Sequence, residues 1–212
     1  MKIAFFGASG TVGQRVLRAA VDRGIEVKAL VRTPQKLGSM ADEIEVIQGD
    51  YFDGEKVSET IAGTDAVLST LGPPVGWGHS VTPQDFEDGM RSVVRGMEEE
   101  GIRRIVALSS SATTYAGESL TLERKFFRLI LSVHSPVMTP AKERELAVLM
   151  ASDTDWTSIR PPMITDSVSG ALRLDEHDKQ GARVNTAQLV DLMLDSITSK
   201  EWSGKAPFVA TG

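Results

Sequence analysis

Three glycines near the start of the chain stand at a spacing suited to holding phosphates. They occupy Gly7, Gly10 and Gly13 in the stretch Gly7-Ala8-Ser9-Gly10-Thr11-Val12-Gly13. An apolar run (residues 2–6) precedes them, a run of helical period (residues 11–23) follows, and a second apolar run covers residues 26–32. Strand, glycine turn, helix and strand is the frame that a dinucleotide pyrophosphate requires. In that frame Gly7 permits the tight turn, Gly10 lets the pyrophosphate approach the backbone, and Gly13 lets the helix pack closely on the sheet. The first helical turn, from Ser9 through Thr11 and Val12, offers free N–H groups and a positive dipole end to the phosphates.

The second strand bears on which dinucleotide is expected. An NAD site normally places an acid there, about 20 residues on, to bind the ribose 2′-hydroxyl. Here the strand ends Ala29-Leu30-Val31-Arg32-Thr33-Pro34, with no acid. The planar guanidinium of Arg32 suits a 2′-phosphate, with Thr33 and Lys36 in support. NADP(H) is therefore expected in preference to NAD(H). Arg32 as an ordinary solvated charge is the other reading.

These groups need a scaffold, and the chain reads as one. Apolar strands are expected at residues 2–6, 26–32, 44–47, 66–70, 104–108 and 156–160, and helices at 11–23, 54–62, 122–132, 140–151 and 186–198. A further helix starts at Thr82-Pro83-Gln84-Asp85, where Thr82 caps, Pro83 suits the first turn and Asp85 favours the dipole. Residues 206–210 are a candidate last strand. Strands that alternate with helices imply a parallel sheet covered on both faces. The fold class is therefore α/β, a Rossmann-type doubly wound sheet, with residues 1–212 as one NAD(P)-binding domain. Acceptor-side loops and helices are expected mainly from residues 110–185.

Composition narrows the function classes. The 212 residues carry 23 Lys+Arg and 29 Asp+Glu, a net charge of −6, which argues against broad nucleic-acid binding. There is no cysteine, so disulfides and thiolate chemistry are excluded. His79, His134 and His177 show no metal-ligand spacing, so no metal is expected. No apolar run approaches the ~18 residues of a membrane span, and a cytoplasmic protein is expected. No Gly-x-Ser-x-Gly elbow is present, which disfavours a hydrolase. The amphipathic stripe Phe126, Phe127, Ile130, Leu131 is expected to be core or a subunit contact rather than a membrane anchor. Residues 173–179 are expected as a solvated loop. The partner is expected to be a small-molecule acceptor, and the chain a monomer or a homodimer.

The G-x-x-G-x-x-G spacing resembles the extended and atypical short-chain dehydrogenase/reductases. The resemblance continues through "VIQGDYFD", "DAVLSTLGP", "IRRIVALSSSA" and "DWTSIRPPMITD", and is strongest to NmrA-like and biliverdin reductase B (flavin reductase)-like proteins. It implies that Asp50 and Tyr51 lie over the adenine. Leu71 and Gly72 would form the nicotinamide-side loop after the fourth strand. Ser109 and Ser110 would follow the fifth strand, and Pro161, Pro162 and Met163 would form the cofactor-facing turn after the sixth. It also implies Ser111 as a hydrogen-bond donor near the nicotinamide or acceptor, and Lys142 as an active-site cation. Turn chemistry for the serine run and a solvated lysine in a first helical turn are the alternatives.

The superfamily's usual Tyr-x-x-x-Lys acid pair is missing. The two tyrosines, Tyr51 and Tyr115, are followed four residues on by Glu55 and Ser119, and Met138 stands four residues before Lys142. The biliverdin reductase B-like group also lacks the pair, and there hydride passes directly from NADPH to a flat conjugated acceptor. The leading expectation is thus an NADPH-dependent oxidoreductase for a flavin, quinone or related pigment. A non-catalytic NAD(P) redox sensor of NmrA-like type is the second. A carbonyl reductase, isomerase or dehydratase with non-standard residues is the third. The loop of residues 72–79 leaves a doubly wound strand at the end that faces the ligand crevice. In it Trp77 can form an aromatic lid on the acceptor or pack on a neighbouring loop. His79 can donate a proton or stand idle in solvent.

Overall fold

The computed structural model describes residues 1–74, 80–115 and 117–212. Among these, six parallel strands form the central sheet: β1 (Lys2–Phe6), β2 (Glu26–Val31), β3 (Glu45–Gln48), β4 (Ala66–Ser69), β5 (Arg104–Leu108) and β6 (Asp155–Ile159). Their order is β3-β2-β1-β4-β5-β6. Every pairing is parallel, with Phe5 opposite Ala29 on one side and Leu68 on the other. This is the doubly wound Rossmann-type arrangement, and strand order reverses between β1 and β4. The ligand crevice of such a sheet opens at that point, beyond the carboxyl ends of the strands.

Successive side chains of a strand point to opposite faces, and each face has its own core. Ile3, Phe5 and Ala29 pack against Val16 and Leu17 of α1 (Thr11–Asp22) and Met193 and Leu194 of α6 (Thr186–Thr198). Ala4 and Phe6 pack on the other side, against helices α2 (Gly54–Ile61), α3 (Pro83–Glu99) and α5 (Met138–Met150). There Val57, Ile61, Met90, Met97 and Leu146 complete the core. Thr82 caps α3 as expected, in a reciprocal capping box with Asp85. No described helix is long and apolar enough to cross a membrane.

The second half departs from the regular alternation of the first. The candidate last strand is present as β10 (Phe208–Thr211), and the chain entering it makes isolated parallel bridges along the end of β6, Lys205 to Thr157 and Phe208 to Arg160. The strand itself pairs antiparallel with β8 (Leu172–Asp175). Residues 173–179 are therefore not simply a solvated loop, because their first part is a half-buried strand. A second small sheet joins β7 (Met163–Thr165) to β9 (Arg183–Asn185), two strands too short to show a sequence period.

For helix α4 (Leu122–His134) one of the two roles expected of the stripe, core, is overturned. Its apolar stripe is not core: Leu122 is 83% exposed and Phe126 65%, with Leu129, Ile130 and Val133 also in solvent. Polar side chains face inward instead. The buried Arg124 donates to the carbonyls of Ser111 and Thr113, and Arg128 donates to that of Ala112. Periodicity shows that a helix has an apolar side, not which way that side points.

Candidate functional site

The glycine turn fits a pyrophosphate for reasons visible atom by atom. Gly7 has φ +90°, and a Cβ there would come within 2.6 Å of the Leu71 backbone nitrogen. A Cβ on Gly13 would come within 2.0 Å of the Gly7 carbonyl oxygen, so α1 lies directly on the turn. Gly10 differs. Its Cβ would meet only the Gly7 oxygen, at 3.3 Å, so the protein leaves the space beside Gly10 free. Gly10 also opens α1 without a side-chain cap, and no acid stands in the first turn. By contrast Asp53, Thr82, Thr121 and Asn185 cap α2, α3, α4 and α6. An uncapped helix start behind an open glycine is what a phosphate needs.

Two side chains outside the glycine motif hold the turn. The Thr70 hydroxyl donates to the Gly7 carbonyl at 3.1 Å, and Gln14 Nε2 donates to the carbonyls of Ser9 and Lys36. The second contact ties the glycine turn to the loop after β2. Sequence reasoning missed both, because neither type is diagnostic and their partners are 63 and 22 residues away.

Beside the turn lies a cavity of about 310 Å³ lined by Arg32, Asp50, Tyr51, Phe52, Leu71 and Gly72, among others. It lies where β2, β3 and β4 end, so the structure gathers the expected adenosine-side residues. Arg32 is exposed at its mouth, with Nη1 4.0 Å from Asp50 Oδ2. Tyr51 takes a different part from Asp50. Its ring is buried so closely against α3 that a Cβ on Gly89 would come within 2.2 Å of it. Burial holds the Tyr51 phenol well above its ordinary pKa, and the Glu145 charge adds to the effect. The aromatic surface left to the cavity is Phe52, 40% exposed and edge-on to Phe86. Phe52 directly follows an expected adenine contact, which was the available signal for it.

Lys142 is buried. Its ammonium donates to the Leu71 carbonyl at 2.5 Å and pairs with Glu145 Oε2 at 2.7 Å. It thus braces the wall of the cleft from behind rather than standing free in it. Burial pushes the Glu145 carboxyl up, and the Lys142 charge opposes that rise. Met138 and Lys142 lie one turn apart on α5.

The serine run forms a tight turn after β5. Ser109 Oγ donates to Thr113 Oγ1 at 3.0 Å, and Ser110 Oγ accepts from the Ala112 N–H at 3.2 Å. The Ser111 N–H donates to the Pro161 carbonyl at 2.8 Å, joining this turn to the one at Pro161, Pro162 and Met163. The Ser111 hydroxyl is enclosed and has no partner among the described residues. Trp77 and His79 lie outside the described residues.

Beneath these turns is a buried charge cluster that sequence reasoning also missed. Arg160 is fully enclosed, its Nη1 2.8 and 2.9 Å from the two Glu118 carboxylate oxygens. Arg124 Nη1 reaches the same carboxylate at 2.9 Å. Both guanidiniums stack on Phe208, at 3.7 Å for Arg160 and 4.7 Å for Arg124. Burial lowers the Arg160 pKa, and the Glu118 charge resists that shift.

Comparison with known proteins agrees with this arrangement. Protein YwnB of Bacillus subtilis is 25% identical over 166 residues, covering 78% of this chain and 74% of that one. The chain spans less than half the length of most other curated relatives it matches. ChuY, an anaerobillin reductase of Escherichia coli O157:H7, superposes with a TM-score of 0.78 at 18% identity, covering 100% of this chain and 97% of that one. A short-chain dehydrogenase/reductase of Veillonella parvula in complex with NADP gives 0.77 at 17%, covering 99% and 94%. At such identities the two structures show the shared fold alone. A family model described as NAD(P)H-binding matches residues 7–200, from the first glycine of the turn to just beyond α6, and the chain belongs to that NAD(P)H-binding family.

Proposed function

We propose that the chain is an NADPH-dependent oxidoreductase that passes hydride to a flat conjugated acceptor such as a flavin, a quinone or a related pigment. When bound, the nicotinamide supplies the hydride; the protein supplies position. The observation that carries this reading is that the structure forms no tyrosine–lysine acid pair. Tyr51 is packed under α3, and the Lys142 ammonium is already bonded to the Leu71 carbonyl and Glu145. An acceptor that takes its proton from water does not need that acid. The same facts weigh against carbonyl chemistry run by Lys142. That ChuY is an anaerobillin reductase is in keeping with the proposal.

The test is NADPH oxidation by purified protein, without oxygen, against FMN, riboflavin, several quinones and biliverdin, with NADPH binding titrated in parallel. Turnover on any of these supports the reading. Tight binding with no turnover on all of them refutes it in favour of a redox sensor. The exposed stripe of α4 gives that second reading its own support, since a sensor needs an apolar surface for a partner.

Two substitutions probe the assignments. Arg32→Asp is expected to weaken NADPH by about tenfold or more while sparing NADH, as loss of one charge-assisted phosphate contact requires. Equal losses for both would rule out a 2′-phosphate role. Ser111→Ala is expected to lower turnover without lowering NADPH affinity. Unchanged turnover would remove its hydroxyl from the reaction.

A further inference from the structure

The loop after β2 carries the groups expected to meet a 2′-phosphate, and little holds them there. It runs as 3-10 turns over Pro34–Asp42. Its far part is anchored. Leu37 and Met40 are buried in the core, and Glu43, just beyond, accepts from Arg18 at 3.2 Å. Its near part is not. Arg32, Thr33 and Lys36 are exposed, and Thr33 opens the first turn without a side-chain cap. Arg32 has Asp50 as an ionic partner only at 4.0 Å. Among the described residues, the one side chain from elsewhere that bonds the backbone of residues 32–36 is Gln14.

One amide nitrogen spans the two sites. Gln14 Nε2 donates at 3.1 Å to the Ser9 carbonyl, in the glycine turn, and at 3.2 Å to the Lys36 carbonyl. Both partners are acceptors, so only the nitrogen end of the amide can face them, and it has one hydrogen for each. The two ends depend on this amide unequally. The peptide between Ser9 and Gly10 is also held by the Gly10 N–H, which donates to the Gly7 carbonyl at 3.0 Å. Thr70 braces the same Gly7 carbonyl. The glycine turn therefore keeps its shape without the Gln14 side chain. Residues 32–36 have the Lys36 N–H donating to the Thr33 carbonyl at 3.1 Å, which shapes their own turn but does not tie it to α1.

We propose that Gln14 is a positioning residue for cofactor discrimination. It fixes residues 32–36 against the glycine turn, so that one dinucleotide meets Gly10 with its pyrophosphate and Arg32 and Lys36 with its 2′-phosphate at the same time. A loop held in place before the cofactor arrives need not be ordered on binding, which spares that entropy. NADH has no 2′-phosphate and gains nothing from the order. The proposal rests on the 2′-phosphate reading of Arg32 under "Proposed function" and is independent of the acceptor.

The test uses binding alone, by titration with NADPH and with NADH. Gln14→Met keeps the length of the side chain and removes both donors. It is expected to weaken NADPH about fivefold, the size of one ordinary hydrogen bond, and NADH by about twofold or less. Gln14 is exposed, so the melting temperature should stay close to that of the wild type. In an Arg32→Ala/Lys36→Ala background the same substitution should cost NADPH no more than NADH, because the groups that it positions are gone. Equal losses for both cofactors in Gln14→Met, or no loss for either, overturn the proposal. So does an NADPH-selective loss that persists undiminished in the Arg32→Ala/Lys36→Ala background. If removing Arg32 and Lys36 itself costs both cofactors equally, the 2′-phosphate reading fails and takes this proposal with it. If that removal is selective for NADPH and Gln14→Met is not, this proposal alone fails.

Discussion

Gly13→Ala is expected to destabilise the protein and abolish NADPH binding together. The added Cβ would lie 2.0 Å from the Gly7 carbonyl oxygen and 2.9 Å from the Gly7 carbonyl carbon, and neither is the end of a flexible side chain. Either α1 lifts off the sheet or the turn between β1 and α1 deforms. Overpacking of this kind costs about 3 kcal/mol, the upper end of the usual range. In a protein of this size that lowers the melting temperature by roughly 6–12 °C. NADPH affinity should fall by about 100-fold or more, since the same movement displaces the first-turn N–H groups. Gly10→Ala is the informative contrast. Its Cβ has only one protein neighbour, at 3.3 Å, so the fold should hold with a melting temperature close to the wild type. NADPH binding should still be lost, because the methyl group fills the space left for the phosphate. Thermal melts and NADPH titrations of both variants check this. Gly10→Ala with wild-type affinity would show that the pyrophosphate does not approach there.

The difference between these glycines marks how much of the site was legible. The spacing of Gly7, Gly10 and Gly13, with a strand before and a helix after, is local information, and the parallel sheet follows from strands alternating with helices. The absence of an acid near Arg32 was equally readable. What escaped was every contact made at long range by residues of unremarkable type. Lys142 and Leu71 are 71 residues apart, and Arg160 and Glu118 are 42 apart. No periodicity links such pairs. Helix α4 shows a different limit. Its apolar stripe was plain in the sequence, but its orientation is set by Ser111, Ala112 and Thr113, whose carbonyls accept from the arginine side of the helix. A turn dense in backbone acceptors outcompeted the apolar face for the inward position, since a buried carbonyl without a donor is costly.

That turn depends on Glu118, and Glu118→Gln is expected to be the most damaging change outside the glycine turn. One carboxylate, nearly buried, lies between two guanidiniums that are themselves buried. Glutamine keeps the shape but leaves two like charges enclosed without their counter-charge. Breaking a buried ion pair by removing one partner costs about 3–5 kcal/mol, against an ordinary total stability of about 5–15 kcal/mol. Much of the Ser109–Thr113 turn should loosen with it. Arg124 and Arg160 both donate to the Thr113 carbonyl, and Arg124 also donates to that of Ser111. Arg124→Met should cost less, because Glu118 and Arg160 remain paired and methionine keeps apolar contact with Phe208. In the double variant Arg124→Met/Glu118→Gln, the repulsion between the two guanidiniums is gone, so the loss should be less than the sum of the two single losses. Denaturant titrations of the wild type and the three variants measure this coupling. Strict additivity would mean that the three side chains do not act as one electrostatic unit, and that hydrogen-bonded shape alone holds the turn in place.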